Sequence, residues 1–548
     1  MSTATNNGFE KGHSVMDEKR LALEQPSEVN ESDAEYEQNV QILRAMSPEE
    51  YQAFEKKLLW KCDMKIVPWM TLLFTMSFLD RVNVGTAKLA GLVEDLGMTA
   101  SQFNLISTGF FITYVLFEVP SNLILKKVGP SRWIPFIVIA WAIVQVCMGL
   151  VTNFGQLLAL RLLLGLFECG LFPGISLYLT GWYRRKEVSK RISIFFAGAV
   201  LAGAFGGILG YGLSQMQGVG GKNGWSWIFI IEGLITFIVG VGSIWMVYDW
   251  PNEATFLTPL ERACVLHRLA VDNGVQNEGT FSWRIVRRAC LDWKTWGFML
   301  LYISSACSIY SCSIFFPTII SYLGKWSRPQ SLLLSTPPFA FALCTTMATA
   351  YLSDKWGKRA FFLLFWFTVS IIGYILLLAV PLSSPGVLYF AVFIVIGGIA
   401  PCIATTIVWA GNTFGNHYKR ATSMGLTFSL GNSGGIVASQ IYRTEHAPRF
   451  IPGHAVSLGF NVMGLICTTI LFFGLRRQNR IRSERFGPIT ESLTTQPPSY
   501  ASSEEEERGI RGDDIDSDEY KQRWGLEGMT REEIIELGDD HPSHRFLT

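Results

Sequence analysis

Four ionisable residues sit in sequence apolar enough to be membrane-embedded. Asp80 and Arg81 lie in FLDRVNVGTAKL, at the far end of an apolar run, and Arg161 and Glu168 lie in RLLLGLFECGLFPG. An ionised side chain at membrane depth costs at least about 2.5–3.5 kcal/mol, so such residues face a bundle interior or a watery cavity. The types are complementary. Arginine stays charged at any biological pH and offers a planar fork that fits a carboxylate. A carboxyl group in a low-dielectric cavity takes up a proton more readily than one in water, so it can load and release protons near neutrality. A cavity holding both binds a proton and an organic anion together, and moving them as a neutralised unit is proton symport. The competing reading is a pair of structural salt bridges. Two such pairs would be costly without a function, which favours the cavity.

Placing these charges takes helices that cross a hydrocarbon core of roughly 30 Å, or about 20 residues each. Twelve apolar segments meet that length, near 64–86, 102–125, 133–152, 155–180, 191–216, 226–248, 295–322, 330–353, 361–381, 387–411, 422–443 and 455–475. If the first enters near Lys65, Asp80 lies roughly 22 Å along it, past the midplane. Arg161 and Glu168 are two helical turns apart, on one face and about 10 Å from each other. The organisation is a tail (1–63), a six-helix bundle (64–248), a polar central loop (249–294), a second six-helix bundle (295–475) and a second tail (476–548).

Composition agrees. Apolar residues make up 49% of the 548, and charged residues only 17%, against about 25% in soluble domains. Acids crowd the tails, as in SSEEEERGIRGDDIDSDEY, while bases gather in alternate short loops. Lys126, Lys127 and Arg132 follow the second span, Arg184 to Arg191 the fourth, Lys355 to Arg359 the eighth, Lys419 and Arg420 the tenth, and Arg476 to Arg480 the twelfth. Such enrichment marks the cytoplasmic side, so both tails and the central loop are expected there. No cleavable leader is expected at the polar start. The ten cysteines lack metal-ligand or CxxC spacing, and Cys307 and Cys312 read as packing residues. The seven histidines fall in tails or loops, which argues against a histidine relay. No nucleophile–base pair or metal cluster lies in a soluble segment, so an enzyme is not expected, nor a cofactor, nor a nucleic-acid partner. The expected partners are the anion, protons and lipid, with the chain acting as a monomer.

Local signals add detail. Ser47 and Thr258 precede Pro and acids and should cap helices, the first leading into the first span. MTREEIIELG reads as a short helix capped by Thr530 and stopped at Gly538, whereas 485–525 reads as disordered. Glu118 shares a face with Tyr114 four residues earlier, and Glu232 reads as structural. Asn432 is favoured over Asn412 for substrate. Trp409, Tyr302 and Phe315 are candidates to stack on a ring. Gly203–Gly207 and Gly206–Gly210 are small-xxx-small pairs for close helix contact.

The six-plus-six layout and SDKWGKR after the eighth span resemble the major facilitator superfamily, with Asp354, Gly357, Lys358 and Arg359 matching its signature loop. In the matching loop after the second span, LKKVGPSRW keeps Gly129 but lacks the usual acid. FLDRVNVGTAKLAGL, YVLFEVPSNLILKKVGPSRW, RLLLGLFECGLFPG and GWYRRKEVSKR resemble fungal members of the anion:cation symporter branch, such as nicotinate, allantoate and pantothenate permeases. That resemblance implies Asp80 and Glu168 as proton carriers, and Arg81, Arg161, Tyr114 and Asn432 as substrate contacts. It also implies two halves rocking about a central site, with the loops at 355–359 and 184–191 latching the inward-closed arrangement. The alternative is a proton antiporter exporting a fungal metabolite. GAFGGILG in the fifth span lacks the proline usual in superfamily antiporters, which weighs against it.

Overall fold

A computed structural model of the chain describes residues 31–273, 283–324, 326–415, 417–486 and, with gaps, 521–546. Its regular structure is helical throughout these residues. Helix α1 runs Glu31–Ala45 and α2 Pro48–Leu89. Ser47 caps α2 as its sequence predicts. Its hydroxyl accepts from the Glu50 N–H at 3.3 Å while the Glu50 carboxylate accepts from the Ser47 N–H at 2.9 Å, a reciprocal cap. The leader helix and the first span are therefore one continuous rod. The first bundle continues with α3 Ala100–Val128, α4 Pro130–Met148, α5 Phe154–Glu168, α6 Leu171–Thr180, α7 Arg185–Ser214 and α8 Gly224–Met246. Two helices fill the central connection, α9 Pro259–Asn273 and α10 Trp283–Leu291. The second bundle comprises α11 Trp293–Leu323, α12 Arg328–Trp356, α13 Arg359–Ala379, α14 Pro385–Thr413, α15 His417–Asn432, α16 Gly434–Ile441 and α17 Ile451–Phe486.

Eleven stretches among the described residues are long and apolar enough to cross a membrane, with α5 and α6 counted as one crossing. The twelfth expected span is broken. At 16 and 8 residues, α15 and α16 are each too short alone; end to end they complete the second set of six. The α5–α6 break falls at Cys169 and Gly170, where the chain passes so close to Ser121 that no side chain would fit. Pro173, with no backbone N–H, adds to the interruption. The α15–α16 break falls at Ser433, in the glycine-rich GNSGG. Large apolar side chains such as Leu116, Ile238 and Phe473 stay exposed on the outside of the bundles, as lipid contact requires. Two histidines depart from expectation, His417 at the start of α15 and His454 in α17. His454 is buried in the first turn of α17, where its Nδ1 lies 3.0 Å from the Tyr442 hydroxyl; it lies in a helix because α17 begins four residues earlier than the apolar run suggests.

The two halves meet along α2, α3 and α7 on one side and α11, α12, α15 and α16 on the other. Both glycine pairs in α7 serve close approach. Gly203 and Gly207 face Phe339 and Leu332 of α12, whereas Gly206 and Gly210 face Val82 and Thr86 of α2. The helices α1, α9, α10 and the end of α17 gather on one face, the tail face. There, in the first half, Arg191 grips Asp63 with two hydrogen bonds of 2.6 and 2.7 Å, and Arg268 binds both Glu55 and Glu187. Thr258 caps α9 as expected, with Glu261 as its reciprocal partner.

The chain's end packs on the second half at the same face. Asp539 is buried between Lys294 and Lys419, and the Arg482 guanidinium donates to its carbonyl at 2.9 Å. Asn479 exchanges hydrogen bonds of 2.8 and 2.9 Å with the Phe546 backbone. Thr530 and Glu533 form the expected cap. The expectation of disorder over 485–525 falls almost wholly outside the described residues. Burial, with a smaller push from Arg482, lowers the His541 imidazole from 6.5 to about 4. The undocked tail therefore binds a proton that the docked tail refuses across that interval, so docking weakens as pH falls from about 6.5 toward 4. Burial opposes ionisation of Asp539, but Lys294 and Lys419 outweigh it and hold its carboxyl below the ordinary value, so it titrates below that window. A dye attached at the C-terminus should lose anisotropy between pH 7.5 and 5, and His541→Gln should flatten the curve. A flat wild-type curve refutes the linkage.

Candidate functional site

The sequence grouped Asp80, Arg81, Arg161 and Glu168, and all four are buried inside the first bundle. The structure divides them. Arg81 pairs with Glu168, Nε to Oε1 at 2.6 Å, and the Ser77 hydroxyl donates to the same oxygen at 2.6 Å. Ser77 and Arg81 stand one turn apart on α2, so both address one carboxylate on α5. The Arg81 guanidinium lies 4.7 Å from the centre of the Tyr114 ring, a cation–π contact. Its Nη1 donates to the Tyr310 hydroxyl at 3.3 Å. That hydroxyl donates to Asn432 Oδ1 at 2.9 Å, and Asn432 Nδ2 donates to Glu118 Oε2 at 3.1 Å. One polar chain thus runs from α5 through α2, crosses to α11 and α15, and returns to α3.

Asp80, one residue before Arg81, is turned by about 100° on the helix. It faces α4, where Trp141 Nε1 donates to Oδ2 at 3.0 Å, while Asn83 donates to Oδ1 at 3.4 Å. Among the described residues Arg161 makes no ion pair; its Nε and Nη2 are buried without hydrogen-bond partners, and its guanidinium lies 5.7 Å from the Phe229 ring centre. Asp80 and Glu168 are the acids whose charges reach it. Both carboxylate oxygens of Glu232 are likewise buried and unpartnered. Buried polar atoms in this state are costly unless water or substrate meets them. Also without a partner are Arg81 Nη2, Tyr114 Oη, Glu118 Oε1 and Glu168 Oε2. The chain of groups therefore keeps open valences at its centre, which a structural lock would satisfy.

A cavity of about 540 Å³ opens between the halves toward the tail face. Glu118, Phe428 and Ser429 line its inner end, and Lys126, Tyr418 and Arg420 its mouth. Arg81 and Glu168 lie beyond the inner end, outside its lining. On the opposite face the halves are closed. Thr108 Oγ1 meets Ser439 Oγ at 2.7 Å, Gln440 Nε2 donates to Thr108 at 2.6 Å, and Arg328 pairs with Glu94 at 2.9 Å. The signature-loop residues sit at the open face. Arg359 reaches Asp354 at 3.3 Å and the Val408 carbonyl at 3.1 Å. Gly357 takes φ +66° to end α12, a left-handed turn that glycine enters without strain. In the first half the missing acid is supplied from elsewhere, since Asp249 accepts from the Ser131 N–H and hydroxyl.

Sequence reasoning missed Ser77, Trp141 and Tyr310. Ser77 was findable from its i, i+4 spacing to Arg81; the other two come from different helices and left no local signal. The proposed ring-stacking residues do not line the cavity. Trp409 packs edge-on against Phe298, Phe315 stacks on Tyr442, and Tyr302 donates to Asn432 at 3.4 Å. Trp409 faces the core of the second half, whereas Phe315 also meets Phe103 of α3 and Tyr302 joins the polar chain between the halves.

The sequence matches the Major Facilitator Superfamily over residues 70–439. An uncharacterized transporter of Schizosaccharomyces pombe is 37% identical over 441 residues, covering 80% of this chain and 88% of its own. An MFS-type transporter of Penicillium expansum is 34% identical over 508 residues, 90% and 91% of the two chains. The high-affinity nicotinic acid transporter of Saccharomyces cerevisiae is 30% identical over 434 residues, 79% and 80% of the two. In fold, the chain is similar to a bacterial homolog of the human lysosomal transporter Spinster, with a TM-score of 0.57 at 16% identity, covering 75% of this chain and 96% of that one. Matched across most of its length by transporters and folded as two bundles of membrane-crossing helices, this chain is a multi-pass membrane transporter of the Major Facilitator Superfamily, and not an enzyme.

Proposed function

We propose that the chain carries a small organic anion into the cell by proton symport, with the tail face cytoplasmic and the protein a monomer in the plasma membrane. The observation that carries this reading is the Arg81–Glu168 pair with its unpartnered Arg81 Nη2 and Glu168 Oε2. A substrate carboxylate and the Glu168 carboxylate compete for one guanidinium. Protonating Glu168 removes the competitor, so anion binding and proton binding favour each other, which is the linkage symport needs. Asp80, next to Arg81 on α2 and held by Trp141 of α4, is the second proton carrier. Arg161, facing both acids, keeps the site cationic when they are protonated. Tyr114 and Asn432 position the substrate beside Arg81, and Asp354, Gly357, Lys358 and Arg359 belong to the latch that engages when the tail face closes. A relative named as a nicotinic acid transporter supports an organic acid as cargo.

Uptake of radiolabelled carboxylates by cells expressing the protein, measured from pH 4.5 to 7.5, tests the reading. Uptake should rise with external acidity and collapse with a protonophore. Glu168→Gln should lose accumulation against a gradient yet keep exchange of internal for external substrate. Accumulation that survives in Glu168→Gln and still needs the proton gradient defeats the role given to Glu168. Efflux driven by external acid would instead favour antiport.

A further inference from the structure

Glu232 lies within α8, 1% exposed, with both carboxylate oxygens unpartnered, and the Arg81–Glu168 linkage does not involve it. We propose that Glu232 and Asp80 form a shared proton site inside the first bundle, with one proton held between two carboxyls behind the central cavity. The site stands on its own geometry; its use in transport rests on the symport reading and deepens it.

Neighbouring residues on α8 fix the surroundings. Phe229, one turn before Glu232, meets the Arg161 guanidinium of α5. Gly233 lies so close to α4 that an added Cβ would stand 3.2 Å from Gln145 Cγ. This face of α8 therefore looks into the space between α2, α4 and α5, where Asp80, Asn83, Gln145 and Arg161 are all at most 2% exposed. The Asn83 amide serves both acids: it donates to Asp80 Oδ1 at 3.4 Å, and its dipole acts on Glu232. None of these residues lines the cavity between the halves. Asn83 Oδ1, both ends of the Gln145 amide, two Arg161 nitrogens and both Glu232 oxygens are buried without partners. Water bridges such groups, and water between two carboxyls passes a proton.

The charges call for that proton. Asp80 is the one charged group that reaches Glu232 among the described residues, and it is another acid. Helix α4 presents the neutral Trp141 and Gln145, and residues 192–210 of α7 include no ionisable side chain. With Arg81 committed to Glu168, the pocket sets two acids, Asp80 and Glu232, against one base, Arg161. Two carboxylates in one dry pocket do not ionise together, and a single proton leaves the set neutral. Its transfer balances: an O–H bond at one carboxyl breaks as one forms at the other, and the negative charge moves the opposite way.

Infrared spectra of the purified full-length protein in lipid at neutral pH test the site. The wild type should show a protonated-carboxyl C=O band, moved by D2O, that Glu232→Gln removes, because the amide leaves Asp80 balanced by Arg161 with no need of a proton. Asp80→Asn should keep the band but shift it, since Glu232 then holds the proton alone. Exchanging choline chloride for sodium chloride should change nothing. A band lost to sodium marks a metal-cation site and overturns the proton assignment, as does a band that Glu232→Gln leaves intact or Asp80→Asn leaves unmoved. Transport gives a second readout. Across one pH unit each coupled proton is worth about tenfold in accumulation, so Glu232→Gln should accumulate about tenfold less while keeping exchange within about twofold. Glu232→Asp should recover part of the loss. A merely structural Glu232 would tolerate the neutral, isosteric amide, so full accumulation in Glu232→Gln overturns the coupling. If wild-type accumulation ignores the proton gradient, the symport reading falls and the infrared band still decides the shared site. If the band is absent while uptake stays proton-driven, this inference falls alone.

Discussion

Arg81→Ala should cut anion uptake by at least about thirtyfold while the protein still reaches the membrane. Removing one partner of a buried charge pair costs about 2–5 kcal/mol, and the lower figure already corresponds to roughly a thirtyfold change. That loss has two possible origins, because the variant also strands the Glu168 carboxylate, which is wholly buried. The double variant Arg81→Ala/Glu168→Gln separates them. If the pair only braces α2 against α5, neutralising both residues relieves the stranded charge and returns uptake, as replacing a buried pair with neutral groups often does. If Arg81 holds the anion, the double variant folds better than the single one and still does not transport. Arg81→Lys should fall between, since a point charge cannot serve Glu168, Tyr310 and a carboxylate together as a fork does. Arg161→Ala should impair uptake less, because Arg161 makes no direct ion pair. Near wild-type uptake in Arg81→Ala would remove the anion site.

What the sequence made legible follows from the membrane's demands. Apolar length marks a crossing, and an ionised residue within one must face inward, so the spans and the four charged residues could be read without any tertiary information. The broken crossing at Asn432–Gly434 is different. The interruption in GNSGG depends on how Gly431, Gly434 and Gly435 lie against Tyr302, Cys307 and Phe111 of other helices. The division of labour within Asp80-Arg81 was also hidden. Adjacent residues on a helix face different neighbours, and which neighbour meets which charge depends on the rotation of α2 within its bundle. The bond from Asn432 to Glu118 joins residues 314 apart in sequence and in different halves; no local pattern encodes it. Similarly, the acid absent from LKKVGPSRW reappears as Asp249, 118 residues beyond Ser131, because a loop needs a carboxylate in space and not in sequence.

Gly85→Leu should drive the protein out of the arrangement described here. A Cβ on Gly85 would stand 2.2 Å from the Ile314 carbonyl oxygen, so α2 and α11 touch backbone to backbone near the closed face. Neither backbone can yield as a side chain would, and overpacking of this kind costs about 1–3 kcal/mol or more. The strain exists only while the opposite face is shut. Rocking the halves apart there relieves it, so the substitution is a differential penalty on one of two states, and a penalty of that size moves their ratio by roughly 5- to 150-fold. Spin labels at Glu94 and Arg328, which form an exposed ion pair across the two halves, should report a longer distance in Gly85→Leu than in the wild type. Uptake should fall with it, because the transport cycle needs both states. Gly212→Leu is the matched control, since no atom lies within 4 Å of the added Cβ; it should change neither readout. An unchanged distance with normal uptake in Gly85→Leu would mean that the close contact of α2 with α11 does not close the gate.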